Sequence, residues 1–283
     1  VKRTGGPRGI VCLLLILLCL IPSRTAWGGP PARIISLAPN ITEILYHLGL
    51  EQQVVAVTSY CNYPPRVEEK PRVGGFSNPS LESIVAMRPD LVIMTDDGNP
   101  KEISERLKKL GIPFYVFRAA RLSELPGELR KLGTFLGVKD RAARAAKRIE
   151  KTLRQYKNWA GKSSQGGVRK VLFIVQPDPL IVAGPGTAID DSLKLLGARN
   201  IASDAGARYP RYSFEEVVRR APDVIFIGQG HRADENVSGL LRRWNVLEAV
   251  QKGRVYYISD SLFRLGPRIV DGIREMAGPL GRK

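Results

Sequence analysis

The sequence predicts an α/β protein built of two like lobes joined by one long helix. Three observations carry this. Strands and helices alternate from Arg33 onward, one helix–turn–strand segment occurs twice, and a helical stretch free of Gly and Pro lies between the copies.

Residues 33–37 form a short apolar run that reads as the first strand. Pro39 and Asn40 open a helix, with Asn40 predicted as its N-cap and Glu43, three residues on, completing a capping box. Gly49 closes that helix, and residues 54–57 make the next strand. Residues 91–94 and 114–117 are two more β-rich apolar runs, each preceded by a helical stretch. Alternation at this spacing predicts a parallel sheet, and hence a Rossmann-like first lobe over 33–137.

The segment SLESIVAMRPDLVIM at 80–94 aligns without a gap to SFEEVVRRAPDVIFI at 213–227. Ser80 pairs with Ser213, Glu82 with Glu215, Val85 with Val218, and Pro89-Asp90 with Pro222-Asp223. In each copy a Ser precedes a short helix with a Glu in its first turn, and Pro-Asp then leads into a buried strand. The surroundings match too: 171–175 resembles the first strand, and 253–258 resembles 111–117. A duplicated lobe over 168–280 follows. Between the lobes, Ala142, Ala146, Ile149, Leu153 and Tyr156 recur at helical spacing, with Lys and Arg elsewhere. This predicts a linking helix over 138–160, about 30 Å long at 1.5 Å per residue, followed by a flexible joint at 161–167. The cleft then lies between the lobes, at the C-terminal ends of the strands.

Residues 1–28 read as a secretory signal peptide. Lys2, Arg3 and Arg8 precede the apolar run 10–21, which falls short of the roughly 20 residues that span a bilayer. Pro22 breaks the run, and Ala26-Trp27-Gly28 offers small residues for cleavage. The alternative is an uncleaved segment that anchors the chain. The expected compartment is the periplasm, across the inner membrane. The formal charge is +17; removing the four basic residues of the segment 1–28 leaves +13. With an export signal and dispersed basic residues, this charge is read as a solvated basic surface, with an anionic ligand or membrane surface as the alternative and no nucleic acid expected. Cys61 is the single cysteine outside the signal, too few for an internal disulfide, and reads as a small buried hydrophobe.

No catalytic constellation is legible. Gly184-Pro-Gly186 lacks the third glycine of a dinucleotide loop, and Gly161-Lys162-Ser163 lacks the first glycine and the preceding strand of a P-loop. His47 sits at a helix end, and His231 lies in a Gly-rich loop after the second copy's strand, where a ligand role stays open. Two histidines without an acidic cluster argue against a zinc or manganese site. The strand ends carry aromatics instead: Tyr60, Tyr63 and Phe76 in the first lobe, Tyr209, Tyr212 and Phe263 in the second. Together they predict a flat apolar platform for a large ring system, with Asp260 and Arg264 nearby for polar contacts.

On these residues the chain resembles the periplasmic substrate-binding proteins of cobalamin, haem and iron-siderophore ABC importers, the class III architecture in which one long helix joins two lobes. The similarity runs from about Arg33 to Met276, and within the class it is closest to cobalamin binders. It rests on Ile34-Ile-Ser-Leu-Ala-Pro39 with Thr42-Glu43, Ser59-Tyr-Cys-Asn-Tyr-Pro-Pro65, Arg88-Pro-Asp-Leu-Val92, and Ser259-Asp260 followed by Gly266-Pro-Arg-Ile269. The resemblance implies a non-enzymatic monomer that captures cobalamin or a related corrinoid, uses no cofactor or metal of its own, and delivers its ligand to the transmembrane subunits of an ABC permease. Haem or a ferric siderophore is the alternative ligand; an exported α/β enzyme is the alternative from another class. Tyr60 and Tyr63 resemble a side wall of the corrin pocket. Phe76 and Tyr209 stand where tryptophans are expected, and Asp260 matches a ligand-contacting acid. Thr95 replaces a further tryptophan, and Phe263 replaces a polar residue. Glu82 and Glu215 match the paired glutamates that dock onto permease arginines, although first-turn acids also serve a helix dipole.

Overall fold

The computed structural model describes residues 31–163, 167–229 and 234–281. The signal segment, His231 and residues 164–166 of the joint lie outside them. Residues from Pro31 on form one compact unit.

The first lobe is a four-stranded parallel sheet in the order β2-β1-β3-β4, made of β1 (Ile34–Ser36), β2 (Val54–Val57), β3 (Leu91–Thr95) and β4 (Phe114–Phe117). Helices α1 (Pro39–His47), α2 (Leu81–Ala86) and α3 (Lys101–Lys109) alternate with these strands, and α4 (Leu125–Phe135) follows the last. Every residue of β1 and β3 is buried. A sheet covered on both faces needs continuous apolar strands, which is why these runs are legible in sequence. Asn40 is not the cap of α1. Pro39 takes the first helical position, where its missing N–H is no loss, so Ala38 is the cap in extended backbone with no side-chain bond. Glu43 is therefore released from capping and is buried.

The second lobe repeats the plan. Strands β5 (Lys170–Pro177), β8 (Val224–Gly228) and β9 (Val255–Ile258) run parallel, with β7 (Arg199–Asn200) beside β5; β6 (Leu180–Val182) adds an antiparallel edge. Its helices are α6 (Ala188–Leu195), α7 (Phe214–Arg220), α8 (Asp234–Arg243), α9 (Glu248–Gln251) and α10 (Ile269–Leu280). The duplication holds at the level of single bonds. Ser80 and Ser213 each accept a hydrogen bond, at 3.2 Å, from the backbone N–H three residues on. Asp90 accepts from the N–H of Arg33 at 2.9 Å, and Asp223 from that of Lys170 at 2.7 Å, so each Pro-Asp clamps the start of its lobe's first strand. The residue before each proline, Arg88 or Ala221, has φ of +45°. Proline disfavours the right-handed helical region for its predecessor, and the left-handed turn redirects the chain into the strand. A left-handed alanine is strained by about 1–2 kcal/mol, partly offset by glycine's larger unfolded-state entropy. Ala221→Gly should accordingly stabilise the fold by about 0.5–1 kcal/mol, a rise of roughly 2 °C in Tm by calorimetry.

Helix α5 (Lys139–Ser163) links the lobes and runs past its predicted end, through Gly161. Ala142, Ala146 and Ile149 are buried, and Leu153 and Tyr156 pack against them, as their spacing predicts. One apolar core runs from α1 and β1 through α4 and α5 to β5, α6 and α10, so the lobes share an interior instead of meeting at a loose hinge. Asp191 of α6 reinforces it, accepting from Arg121 Nε at 2.8 Å and from Leu122 N at 3.0 Å. Cys61 is free and buried. No helix among the described residues is long and apolar enough to cross a membrane.

Candidate functional site

In both lobes the chain leaves the first strand to one side and returns to the other, as the orders β2-β1-β3 and β7-β5-β8 show. Such reversals open a crevice at the C-terminal ends of the strands. A cavity of about 680 Å³ fills that position between the lobes. Pro39 and Asn40 reach it from the end of β1, Tyr60 and Asn62 from β2, Thr95, Asp97 and Gly98 from β3, and Ala119 from β4. The second lobe adds Ile189, Arg208, Tyr209, Gln229 after β8, and Asp260 with residues 262–265 after β9.

Each lobe seats a phenyl ring on a glycine. A Cβ at Gly98 would stand 2.2 Å from Phe76 Cε1, and one at Gly228 would stand 2.1 Å from Phe263 Cζ, so any side chain there would displace the ring. Phe76 is placed by Asn99, whose amide donates to the carbonyls of Phe76 (2.8 Å) and Leu37 (2.9 Å) while accepting from Thr95 N (2.9 Å). Phe263 meets Phe173 edge-on, with ring centroids 5.8 Å apart. Tyr60 and Tyr209 stand beside these rings, 51 % and 48 % exposed. Half-exposed aromatics flanking a cavity leave apolar faces for a flat ligand to cover.

The cavity's polar end is an ion cluster joining both lobes. Glu43 Oε1 accepts from Arg264 Nη1 at 2.7 Å and Arg268 Nη1 at 3.1 Å. Arg264 Nη2 also reaches Asn62 Oδ1 at 2.6 Å and Asp260 at 2.9 Å, and Arg268 Nη2 meets Asp260 at 3.0 Å. The Glu43 side chain is 2 % exposed, and its Oε2 has no partner among the described residues. Burial raises its pKa, while the two guanidiniums oppose the rise.

Six of the predicted ligand residues line the cavity: Tyr60, Phe76, Tyr209, Asp260, Phe263 and Arg264. Tyr63 does not. Its ring is covered by the Arg268 guanidinium, 3.8 Å from the ring centroid, so it braces the ion cluster from behind. Tyr212 also faces elsewhere, under Arg220 in the second lobe's core. Arg264 lines the cavity with both terminal nitrogens already engaged by Glu43, Asn62 and Asp260. Sequence reading missed Glu43, Asn62, Arg268, Asp97 and Arg208. Position alone offered a signal for Asp97, which follows a buried strand at the expected ligand end. Glu82 and Glu215 lie on the first turns of α2 and α7, both exposed. No group of three or more His, Cys, Asp or Glu side chains among the described residues is placed to hold a metal.

Comparison with known proteins agrees with this geometry. The chain is 30 % identical over 266 residues to a vitamin B12-binding protein of Pectobacterium carotovorum, covering 94 % of this chain and 92 % of that one. The crystal structure of the periplasmic vitamin B12 binding protein of Vibrio cholerae superposes with a TM-score of 0.78 at 29 % identity, covering 89 % of this chain and 97 % of that one. The apo periplasmic heme-binding protein of Roseiflexus sp. RS-1 gives 0.80 at 28 % identity, covering 90 % and 98 %. The profile of the family described as periplasmic binding protein matches residues 34–262, a stretch that takes in both sheets, the linking helix and most of the cavity wall. On that match the chain belongs to the periplasmic binding protein family.

Proposed function

We propose that the protein is the substrate-binding component of an ABC importer, a periplasmic monomer that captures cobalamin or a related corrinoid between its lobes. It hands the ligand to the permease's transmembrane subunits and carries out no reaction. The observation that carries this reading is the cavity of about 680 Å³, walled by Phe76 and Tyr60 from one lobe and Phe263 and Tyr209 from the other. Rings from both sides suit a broad, flat macrocycle, and the neutral Asn40, Asn62, Ser77 and Gln229 suit a periphery of amides. The vitamin B12-binding relatives favour the same ligand. The leader-like segment 1–28 favours export to the periplasm, whether it is cleaved or kept as an anchor.

A second reading keeps the role and changes the ligand to haem or a ferric siderophore. The likeness to a heme-binding structure and the net charge of +13 outside residues 1–28 favour it. Titration calorimetry of the purified chain with cyanocobalamin separates the two. The corrinoid reading expects a Kd tighter than about 10 μM, close to −7 kcal/mol. No heat with cyanocobalamin, together with a Soret shift on adding haemin, moves the assignment to the second reading.

A further inference from the structure

Ion pairs tie the lobes together beside the cavity at two places, Arg264 and Arg268 on Glu43 and Arg208 on Asp97, and the two cations in the cavity wall differ in how fully they are used. Arg264 is the more engaged: both its terminal nitrogens are taken, Nη1 by Glu43 and Nη2 by Asn62 and Asp260, and its side chain is only 10 % exposed. Asp260 in turn is held by Arg264 and Arg268. This acid–base set closes on itself and presents little net charge to a ligand.

Arg208 differs. Its side chain makes one hydrogen bond among the described residues, from Nη1 to Asp97 Oδ1 at 2.8 Å across the cleft. Its Nε is buried and has no acceptor. Both side chains line the cavity, and both stand at its rim, 38 % exposed for Arg208 and 47 % for Asp97. A rim ion pair in contact with water is weak and readily exchanged. A buried guanidinium nitrogen without an acceptor gains from any ligand oxygen that supplies one. Of the two cations among the described residues of the cavity wall, Arg208 is thus the one with more donors to offer. Its planar fork suits a phosphate or carboxylate, both of which accept two parallel hydrogen bonds. Released Asp97 loses little, because water solvates it.

We infer that Arg208 is a specificity-determining residue that reads an anionic substituent at the ligand's edge, the phosphodiester of a complete cobalamin, while Asp97 holds the guanidinium until that ligand arrives. The inference rests on the corrinoid reading of the cavity. Within that reading it predicts discrimination between cobalamin, which carries the phosphodiester, and cobinamide, which lacks it.

The test is titration calorimetry of the purified chain, wild type, Arg208→Gln and Asp97→Asn, with cyanocobalamin and dicyanocobinamide, each variant's fold being checked by its melting curve. Arg208→Gln should weaken cobalamin binding by about ten-fold or more and cobinamide binding by less than about two-fold. Asp97→Asn frees the guanidinium, and should tighten cobalamin binding several-fold while leaving cobinamide unchanged. Equal effects of Arg208→Gln on both ligands would overturn the inference and leave the pair as a latch between lobes. So would a cobalamin affinity indifferent to both substitutions. If wild type binds neither corrinoid, the corrinoid reading itself fails, which is distinct from a wild type that binds both without using Arg208.

Discussion

Replacing Glu43 by alanine should lower the unfolding free energy by about 3 kcal/mol or more, because it strips a buried carboxylate from two guanidiniums. Arg264 would keep Asn62 and Asp260, and Arg268 would keep Asp260, so one acid would remain for two largely buried cations. Guanidinium unfolding curves measure the loss directly. The same change should also weaken ligand capture, since Arg264 and Asp260 form part of the cavity wall and Glu43 fixes the first of them. Glu43→Gln separates charge from shape. It keeps an oxygen for Arg264 and should cost less than alanine. It also predicts a pH signature. Burial raises the Glu43 pKa in the folded chain above its ordinary value of 4.5. Just above pH 4.5 the folded protein holds a proton that the unfolded chain has released, so this group's contribution to stability falls as pH rises to the folded pKa and is flat beyond it. The stability of wild type relative to Glu43→Gln should therefore decline with pH across that window; a difference independent of pH would place the carboxylate in a better-solvated setting than the structure gives it.

Glu43 also marks where sequence reading stops. The fold was legible because parallel strands buried on both faces must be continuous apolar runs, and because α5 shows its buried face at helical spacing. The repeat was legible because both copies need a Ser cap, a Pro-Asp turn and a buried strand at the same offsets. Strands β6 and β7 were not, being three and two residues long with no period to display. Asn40 and Glu43 match the local pattern of a capping box, yet Pro39 shifts the helix start by two residues, and the partners of Glu43 lie 221 and 225 positions away. No local rule connects them. Tyr63 fails for a related reason. An aromatic beside Pro-Pro reads the same whether its ring faces a ligand or an arginine, and only the packing of the 260–268 segment decides. The pairing of Asp97 with Arg208 spans 111 positions and two lobes, so it too belongs to tertiary structure.

Changing Glu82 and Glu215 together to alanine should reduce ligand uptake in cells to background while leaving ligand affinity of the purified protein unchanged. The two acids occupy the same position in the two copies, two residues past each Ser cap, and both are exposed. Neither forms an ion pair among the described residues, although the chain is strongly basic. Neighbouring Glu216, by contrast, is engaged by Arg219 and Arg220. One turn along each helix, Val85 and Val218 are also exposed, 42 % and 40 %, so each lobe presents the same acidic and apolar pair. Two equivalent patches on a pseudo-symmetric protein match a partner with two equivalent subunits, as a permease with paired transmembrane subunits would be. The competing account is purely local: a first-turn acid complements the helix dipole, a contribution of about 0.3–1 kcal/mol at an exposed site. The two accounts diverge in the measurement. A dipole role predicts a small loss of Tm with uptake preserved, whereas docking predicts lost uptake at nearly unchanged Tm. The single substitutions sharpen the choice, because a two-point contact should lose part of its uptake with either change and the rest only with both.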